Sequence, residues 1–411
     1  MTIDRRVFDL YGPGPGYQRF HQDVSVNFQC NRWLEWIGPE AHDEIAVTAH
    51  LADTYEKWIA AFLALADRVR AQGRDRAGAY YDRAAEFFMT PEDTRKSPAR
   101  SRFVATMRQL YAVRPDRVPY EDAWLPAYDL PPSQAPSGPT LVIFGGFDSY
   151  IEDFFPLLMA IAATGHRVVA FDGPGQGTAF EDAGIVFTHE WERPVAAVLD
   201  HYGLDDVTAV GVSMGGGLVI RAAAFEPRIR RVVAWDIFDD ELEVLGRQIA
   251  PGATPLIRVL LAMRARPVIN LAAHVAARRP VARWGLQQGM HITATTSPYD
   301  FLTAARAITT RRISNRVTAD VLLIAGTDDH YVPLHQLHRQ ARNLTAARSV
   351  TTRTFTAAEH AGNHCQIGNV SACVRTILSW SKTLTSSSQA SRPGTKARQP
   401  GCAGTRRDRA P

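Results

Sequence analysis

Asp206-Val207-Thr208-Ala209-Val210-Gly211-Val212-Ser213-Met214-Gly215-Gly216-Gly217-Leu218-Val219-Ile220 is the stretch whose reading decides the fold. Its β-branched opening, Asp206 to Val210, predicts a strand, and the apolar run from Leu218 to Ala224 predicts a helix. Between them Gly211-Val212-Ser213-Met214-Gly215 has the pattern Gly-x-Ser-x-Gly. So sharp a strand-to-helix turn strains its central residue and leaves no room for side chains at the flanking positions, which Gly211 and Gly215 supply. Such a turn lifts the Ser213 hydroxyl above the sheet and sets it at a helix N-terminus. There the Met214 N–H is placed to hold an oxyanion. A glycine-rich turn carrying an incidental serine has the same local pattern, so the rest of the chain must decide.

Upstream, Thr140-Leu141-Val142-Ile143-Phe144 and Arg167-Val168-Val169-Ala170-Phe171 are continuous apolar runs, as in strands covered on both faces. Downstream, Arg231 to Trp235, Val321 to Ala325 and Ser349 to Phe355 read as further strands. Helical patterns separate them, over Glu152 to Ala163 and Pro194 to His201. This alternation predicts an α/β fold with a mainly parallel sheet flanked by helices. Val118 to Tyr120 and Trp124 to Tyr128 each contain proline and read as edge strands.

Two regions depart from the alternation. From Asn31 to Arg114 the apolar residues recur at helical spacings, which predicts an N-terminal helical domain over residues 1–115. Its aromatic stripe reads as core between helices. The catalytic domain then covers residues 116–383, with a helical insertion at about 240–315, where Leu256 to Leu261 and Val268 to Ala277 look helical. Residues 384–411 are rich in Ser, Gly, Pro, Arg and Gln and read as a disordered tail.

A serine nucleophile needs a base, and the base needs a group to orient it. Two aspartates, Asp328 and Asp329, follow the strand ending at Ala325, and two histidines, His360 and His364, follow the last strand. Strand-end placement in the order Ser, Asp, His makes a triad of Ser213, Asp329 and His364 the favoured set. Asp328 and His360 remain the competing members. The loop Gly145-Gly146-Phe147 leaves the strand ending at Phe144, which makes the Phe147 N–H the second oxyanion donor and brings Gly146 close to substrate.

Composition narrows the function classes. Hydrophobic residues make up 45% and charged residues 21%, ordinary for a globular protein. The net charge of +4 is concentrated among the last residues, where six basic side chains from Arg392 to Arg409 face only Asp408. No nucleic-acid surface is expected. The four cysteines form no C-x-x-C, and the His360/His364 pair lies across Ala-Gly-Asn, so neither metal nor cofactor is expected. Tyr11 to Tyr17 is a Gly/Pro loop with no Lys-Ser/Thr after it, hence no phosphate site. With no leader-like start and no long apolar run, a cytoplasmic protein without membrane partners is expected, acting on a small molecule, with a homodimer left open.

The chain resembles the α/β-hydrolase group that contains 2,6-dihydropseudooxynicotine hydrolase and the fungal hydrolases that shorten polyketide pigment precursors, with polyketide acyltransferases among its relatives. The resemblance rests on Ala79 to Phe88, Val118 to Glu121, Leu125 to Tyr128 and Gly145 to Ser149. It continues through Phe171-Asp172-Gly173-Pro174-Gly175-Gln176-Gly177, the serine turn, Trp284 to Met290, Asp328 to Pro333 and His364-Cys365-Gln366. It implies the α/β-hydrolase fold, an N-terminal helical cap over the active site, and the triad Ser213, Asp329, His364. It also implies cleavage of a C–C bond beside a ketone, or of an ester or thioester, in a small aromatic or polyketide-like metabolite. Acyl transfer and a catalytically inactive binding protein are the alternatives. A further carboxylate matters in one member of the group. Asp236, Asp239, Asp240 and Glu241 are available here, and Asp236 and Asp239 are taken as substrate-binding.

Overall fold

The computed structural model describes residues 14–250 and 252–390. The N-terminal residues through Pro13, including part of the Gly/Pro loop, and the tail beyond Ala390 lie outside the described residues.

Five helices come first: α1 (Val24–Ile37), α2 (Ala41–His50), α3 (Tyr55–Ala71), α4 (Asp75–Phe87) and α5 (Lys96–Leu110). Asp23 caps α1 by accepting from the Ser25 and Val26 amides, and Thr54 caps α3 through Lys57 N–H. α4 is buried from Ala77 through Phe87 because it lies between its neighbours and the α/β body. Its buried charged side chains, Asp82, Arg83 and Glu86, are therefore paired. Asp82 binds Arg102, and the Arg83 guanidinium reaches Glu86 at 2.5 Å, Asp153 at 3.1 Å and the Asp148 carbonyl at 2.5 Å. Arg83 thus ties the helical segment to the chain that follows Gly145-Gly146.

The body is one eight-stranded sheet: β1 (Asp116–Tyr120), β2 (Ala123–Leu130), β3 (Thr140–Phe144), β4 (Val168–Phe171), β5 (Val207–Val212), β6 (Ile229–Trp235), β7 (Asp320–Gly326) and β8 (Ser349–Phe355). Its order is β1-β2-β4-β3-β5-β6-β7-β8. β1/β2 and β2/β4 are antiparallel, and every other pair is parallel. The central strands β4 and β5 are buried at every position, as their unbroken apolar runs require. Helices α6 (Phe155–Ala162), α7 (Gly177–Glu181), α8 (Glu192–Tyr202) and α9 (Gly215–Phe225) connect the first strands. α15 (His335–Asn343) and α16 (Val370–Ala390) complete the body.

Three expectations need correcting. β2 is not an edge strand, since β1 lies outside it; Pro126 is tolerated because pairing with β4 begins only at Ala127. The insertion holds five helices rather than two: α10 (Glu241–Ile249), α11 (Ala253–Ala262), α12 (Arg266–Ala276), α13 (Pro280–Ile292) and α14 (Pro298–Ala305). Prolines in the first turns of α12, α13 and α14 mark three of the starts, and Leu242, Leu261, Ile269, Phe301 and Leu302 form a small core of their own. Finally, α16 runs on to Ala390, past the boundary placed at residue 383.

The turn after β5 is closely packed. A methyl group on Gly211 would fall on the Gly215 carbonyl, and one on Gly215 would meet the Gly145 carbonyl at 2.5 Å. Backbone cannot yield as a flexible side chain can. Gly211→Ala is expected to cost about 3 kcal/mol or more. A thermal melt of the purified variant, at least several degrees below wild type, checks this.

Candidate active site

Ser213 sits at φ 61°, the strained left-handed conformation that the turn demands. Its own N–H donates to the Trp235 carbonyl at 2.8 Å, and its carbonyl accepts from Gly216 N–H at 2.7 Å, which lock the turn on both sides. The hydroxyl Oγ lies 2.8 Å from His364 Nε2. On the other side of the ring, His364 Nδ1 lies 2.7 Å from Asp329 Oδ2. Both His364 and Asp329 are buried. With Nδ1–H donating to the carboxylate, Nε2 is left to take the serine proton.

Asp329 is held rigidly, because its other oxygen accepts the Tyr331 and Val332 amides at 2.7 and 2.9 Å. Burial pushes its carboxyl up, but the adjacent His364 and the Val332 N–H outweigh this and hold it below the usual range. Burial likewise opposes charge on His364, yet Asp329 raises the imidazole well above its ordinary value. The competing residues sit elsewhere. Asp328 is exposed beside Thr327, and His360 is exposed at φ 56° at the end of a 3-10 turn. His364 does not open α16. It begins a separate 3-10 turn, His364–Gln366, because Cys365 and Gln366 adopt positive φ.

The loop after β3 is fixed from beneath. Gln176 Nε2 donates to the Gly145 and Gly146 carbonyls at 2.7 and 3.0 Å, Ser149 Oγ accepts Gly146 N–H at 2.7 Å, and Asp172 accepts the Ile151 and Thr178 amides at 2.9 and 3.0 Å. Asp172-Gly173-Pro174-Gly175-Gln176 is therefore the support of this loop. Gly146 rests on the serine turn, where a Cβ would lie 2.9 Å from Met214 N and 3.0 Å from Ser213 Cβ. Among the described residues, neither Phe147 nor Met214 donates its backbone N–H within the protein. Two amides flanking the Ser213 hydroxyl are thus unengaged, as an oxyanion site needs.

Ser213 and His364 open into a cavity of about 160 Å³. Its walls are aromatic: Trp33 and Trp36 of α1, Phe87 of α4, Phe147, Phe238 and Trp284 of α13. Trp284 stacks on Phe87 at 4.5 Å and donates its indole N–H to the Phe87 carbonyl at 2.7 Å, joining insertion to helical segment. Gly146 lines this cavity, as expected.

Asp236 and Asp239 do not line it. Asp236, at φ 60°, lies behind His364, with Oδ2 3.2 Å from Nδ1 and Oδ1 accepting from Gln366 at 3.1 Å; it also takes the Cys365 N–H. Burial raises its carboxyl to about 6 despite the pull of His364. Asp236, His364 and Cys365 are close enough to hold a metal ion between them, but His364 Nδ1 is already committed to Asp329. Asp239 is buried in an ion-pair network with Arg339 and Arg311, a bracing role. Asp148, Asp153 and Glu241 do line the cavity; the two aspartates are paired with Arg32, whereas Glu241 is 4% exposed, with Oε2 lacking a partner among the described residues. Burial, then Asp240, raises it to about 8. The signal for it was present. Glu241, Val244, Leu245 and Gln248 share one face of α10, and a carboxylate on an otherwise apolar stripe marks a polar site in a cleft.

Residues 139–251 match the family model described as the alpha/beta hydrolase fold. The chain has the α/β-hydrolase fold. It is similar to hydrolase LUC6 of a Fusarium species, 32% identical over 51% of this chain and 60% of that one. It thus spans about three fifths of that relative's length. Hydrolyase poxO of Penicillium oxalicum is 26% identical over 76% of this chain and 85% of its own. The crystal structure of 2,6-dihydroxy-pseudo-oxynicotine hydrolase shares the fold, with a TM-score of 0.56 at 18% identity over 81% of this chain and 89% of that one. No helix among the described residues is long and apolar enough to cross a membrane.

Proposed function

We propose that this chain of α/β-hydrolase fold is a serine hydrolase that cleaves a C–C bond beside a ketone, or an ester or thioester, in a small aromatic or polyketide-like metabolite. The observation that carries the reading is the continuous line Ser213 Oγ, His364, Asp329 opening on an aromatic-walled cavity. Ser213 attacks the carbonyl while His364 takes its proton. Asp329 orients the ring and balances its charge, and the Phe147 and Met214 amides receive the oxyanion. The names of LUC6, poxO and the pyridine-alkaloid enzyme support hydrolysis. The substrate would lie between residues of the helical segment and the insertion, both of which wall the cavity.

Glu241 favours the ketone over the ester. Breaking a C–C bond leaves a carbanion that must be protonated, and a carboxyl at about 8 still carries its proton at neutral pH. An ester's leaving oxygen can take its proton from His364. The sign follows directly: kcat/KM for a diketone falls as pH rises through about 8 and Glu241 ionises. It also falls as pH drops and His364, raised well above the ordinary imidazole value by Asp329, takes up a proton. Glu241→Gln is expected to lower diketone cleavage by about 100-fold or more while changing aryl ester hydrolysis less than about tenfold. A pH series on both substrate types checks this; equal losses for both would reject the assignment. Acyl transfer is the second reading, since the cavity wall buries the acyl-enzyme among aromatic rings. Product analysis with an added alcohol separates it, with free acid alone rejecting transfer.

A further inference from the structure

Between Val244 and Tyr299 the sequence holds seven arginines and two histidines and not one aspartate or glutamate. This acid-free stretch builds most of the insertion. Within it, α11 and α12 pack as a helical hairpin whose inner residues Leu261, Ile269 and Ala273 join the insertion core. The outer side is also apolar. Leu256, Val259 and Met263 are 61%, 53% and 71% exposed, and Val268, Leu271 and Val275 are 52%, 67% and 50% exposed. On each helix the three are spaced i, i+3, i+7, so they form two aliphatic ridges on solvent.

Most of the basic side chains of the insertion also lack a carboxylate partner. Many arginines elsewhere in the protein meet carboxylates, as Arg95 does with Glu56, Arg228 with Asp200 and Arg167 with Asp129. In the insertion, Arg247, Arg264, Arg278, Arg279 and Arg283 are exposed, and among the described residues no carboxylate lies within ion-pair distance of them. Only Arg258 and Arg266 are paired, with Asp240 and Asp300 at the two ends of the stretch.

We infer that the α11–α12 hairpin docks on an anionic lipid surface, with its aliphatic ridges in the interface and the unpaired arginines on the headgroups. An amphipathic element that is aliphatic on one side and basic at its margins has the composition for lying in such an interface. At 10 and 11 residues the two helices are too short to span a bilayer, so the contact is peripheral. A second copy of the chain fits poorly, because it would face five uncompensated arginines with five more. An acidic protein is less favoured, because the ridges carry none of the aromatic side chains on which protein interfaces concentrate. The placement has a use for an apolar substrate. α13 and α14 of the same insertion supply Trp284, Leu286, Phe301 and Leu302 to the cavity, which brings one cavity wall to the lipid boundary.

The inference is independent of the reaction proposed above, and its test needs no substrate. Flotation of the full chain with phosphatidylcholine vesicles, with and without phosphatidylglycerol, reads it directly. Binding about tenfold tighter to the anionic vesicles, weakening as salt rises, is expected. Met263→Ser with Leu271→Ser removes two ridge residues at unchanged charge and should reduce that binding at least about fivefold. Both side chains are exposed, so the fold is retained, and an unchanged melt verifies it. Arg264→Glu with Arg278→Glu should abolish the preference for anionic lipid. Equal binding to both vesicle types would overturn the inference. So would undiminished binding by the serine variant, or a dimer in sedimentation equilibrium that this variant dissociates.

Discussion

Ser213→Ala is expected to lower kcat/KM by about 10⁴-fold or more on any ketone or ester the protein turns over. The reason is geometric. The hydroxyl lies 2.8 Å from His364 Nε2, and the turn already holds it in its strained conformation. Alanine removes the attacking atom and leaves the Phe147 and Met214 amides and the cavity in place, so substrate affinity should change little. The expected signature is therefore a collapse of kcat with KM within about threefold. Steady-state kinetics on a diketone and an aryl ester measure it. A variant that kept wild-type kcat would place the chemistry elsewhere.

The second large effect separates two carboxylates on one ring nitrogen. Asp329 and Asp236 approach His364 Nδ1 at 2.7 and 3.2 Å. Asp329 is held below the usual carboxylate range, whereas Asp236 is raised to about 6 by burial and spends its oxygens on the Cys365 and Gln366 groups. In the proposed mechanism Asp329 holds the ring in the tautomer that accepts the Ser213 proton. Asp329→Asn is expected to cost about 10⁴-fold in kcat, because an amide nitrogen at that position forces the other tautomer. Asp236→Asn keeps an acceptor for the backbone and should cost no more than about tenfold. Parallel kcat measurements decide this, and the reverse order would exchange the roles of the two residues.

Much of this was legible in the sequence because the informative residues sit at the ends of buried strands. Unbroken apolar runs identify β3, β4, β5 and β7. Once they are placed, Gly145-Gly146, Ser213 and Asp329 come to the same edge of a parallel sheet by chain direction alone. The residues that were misplaced depend on packing between elements. Asp236 follows β6 as a strand-end carboxylate should, yet its positive φ turns it behind His364 rather than toward the cleft. Asp239 is drawn away by Arg339, which is 100 residues distant in sequence. Glu241 shares the same acidic run, and its place on the α10 face with Val244 and Leu245 turns it to the cavity. The insertion was compressed into two helices because its breaks are single prolines and short polar turns, which carry little signal beside its long apolar content.

The most direct test of the central claim is labelling of the folded protein by a fluorophosphonate, read by intact mass and peptide mapping. An activated serine is required, but no knowledge of the substrate. A single adduct on Ser213 is predicted, lost in Ser213→Ala and slowed by about 10³-fold or more in His364→Ala. A folded wild-type protein that remains unlabelled, or that carries its adduct on another residue, would contradict the account.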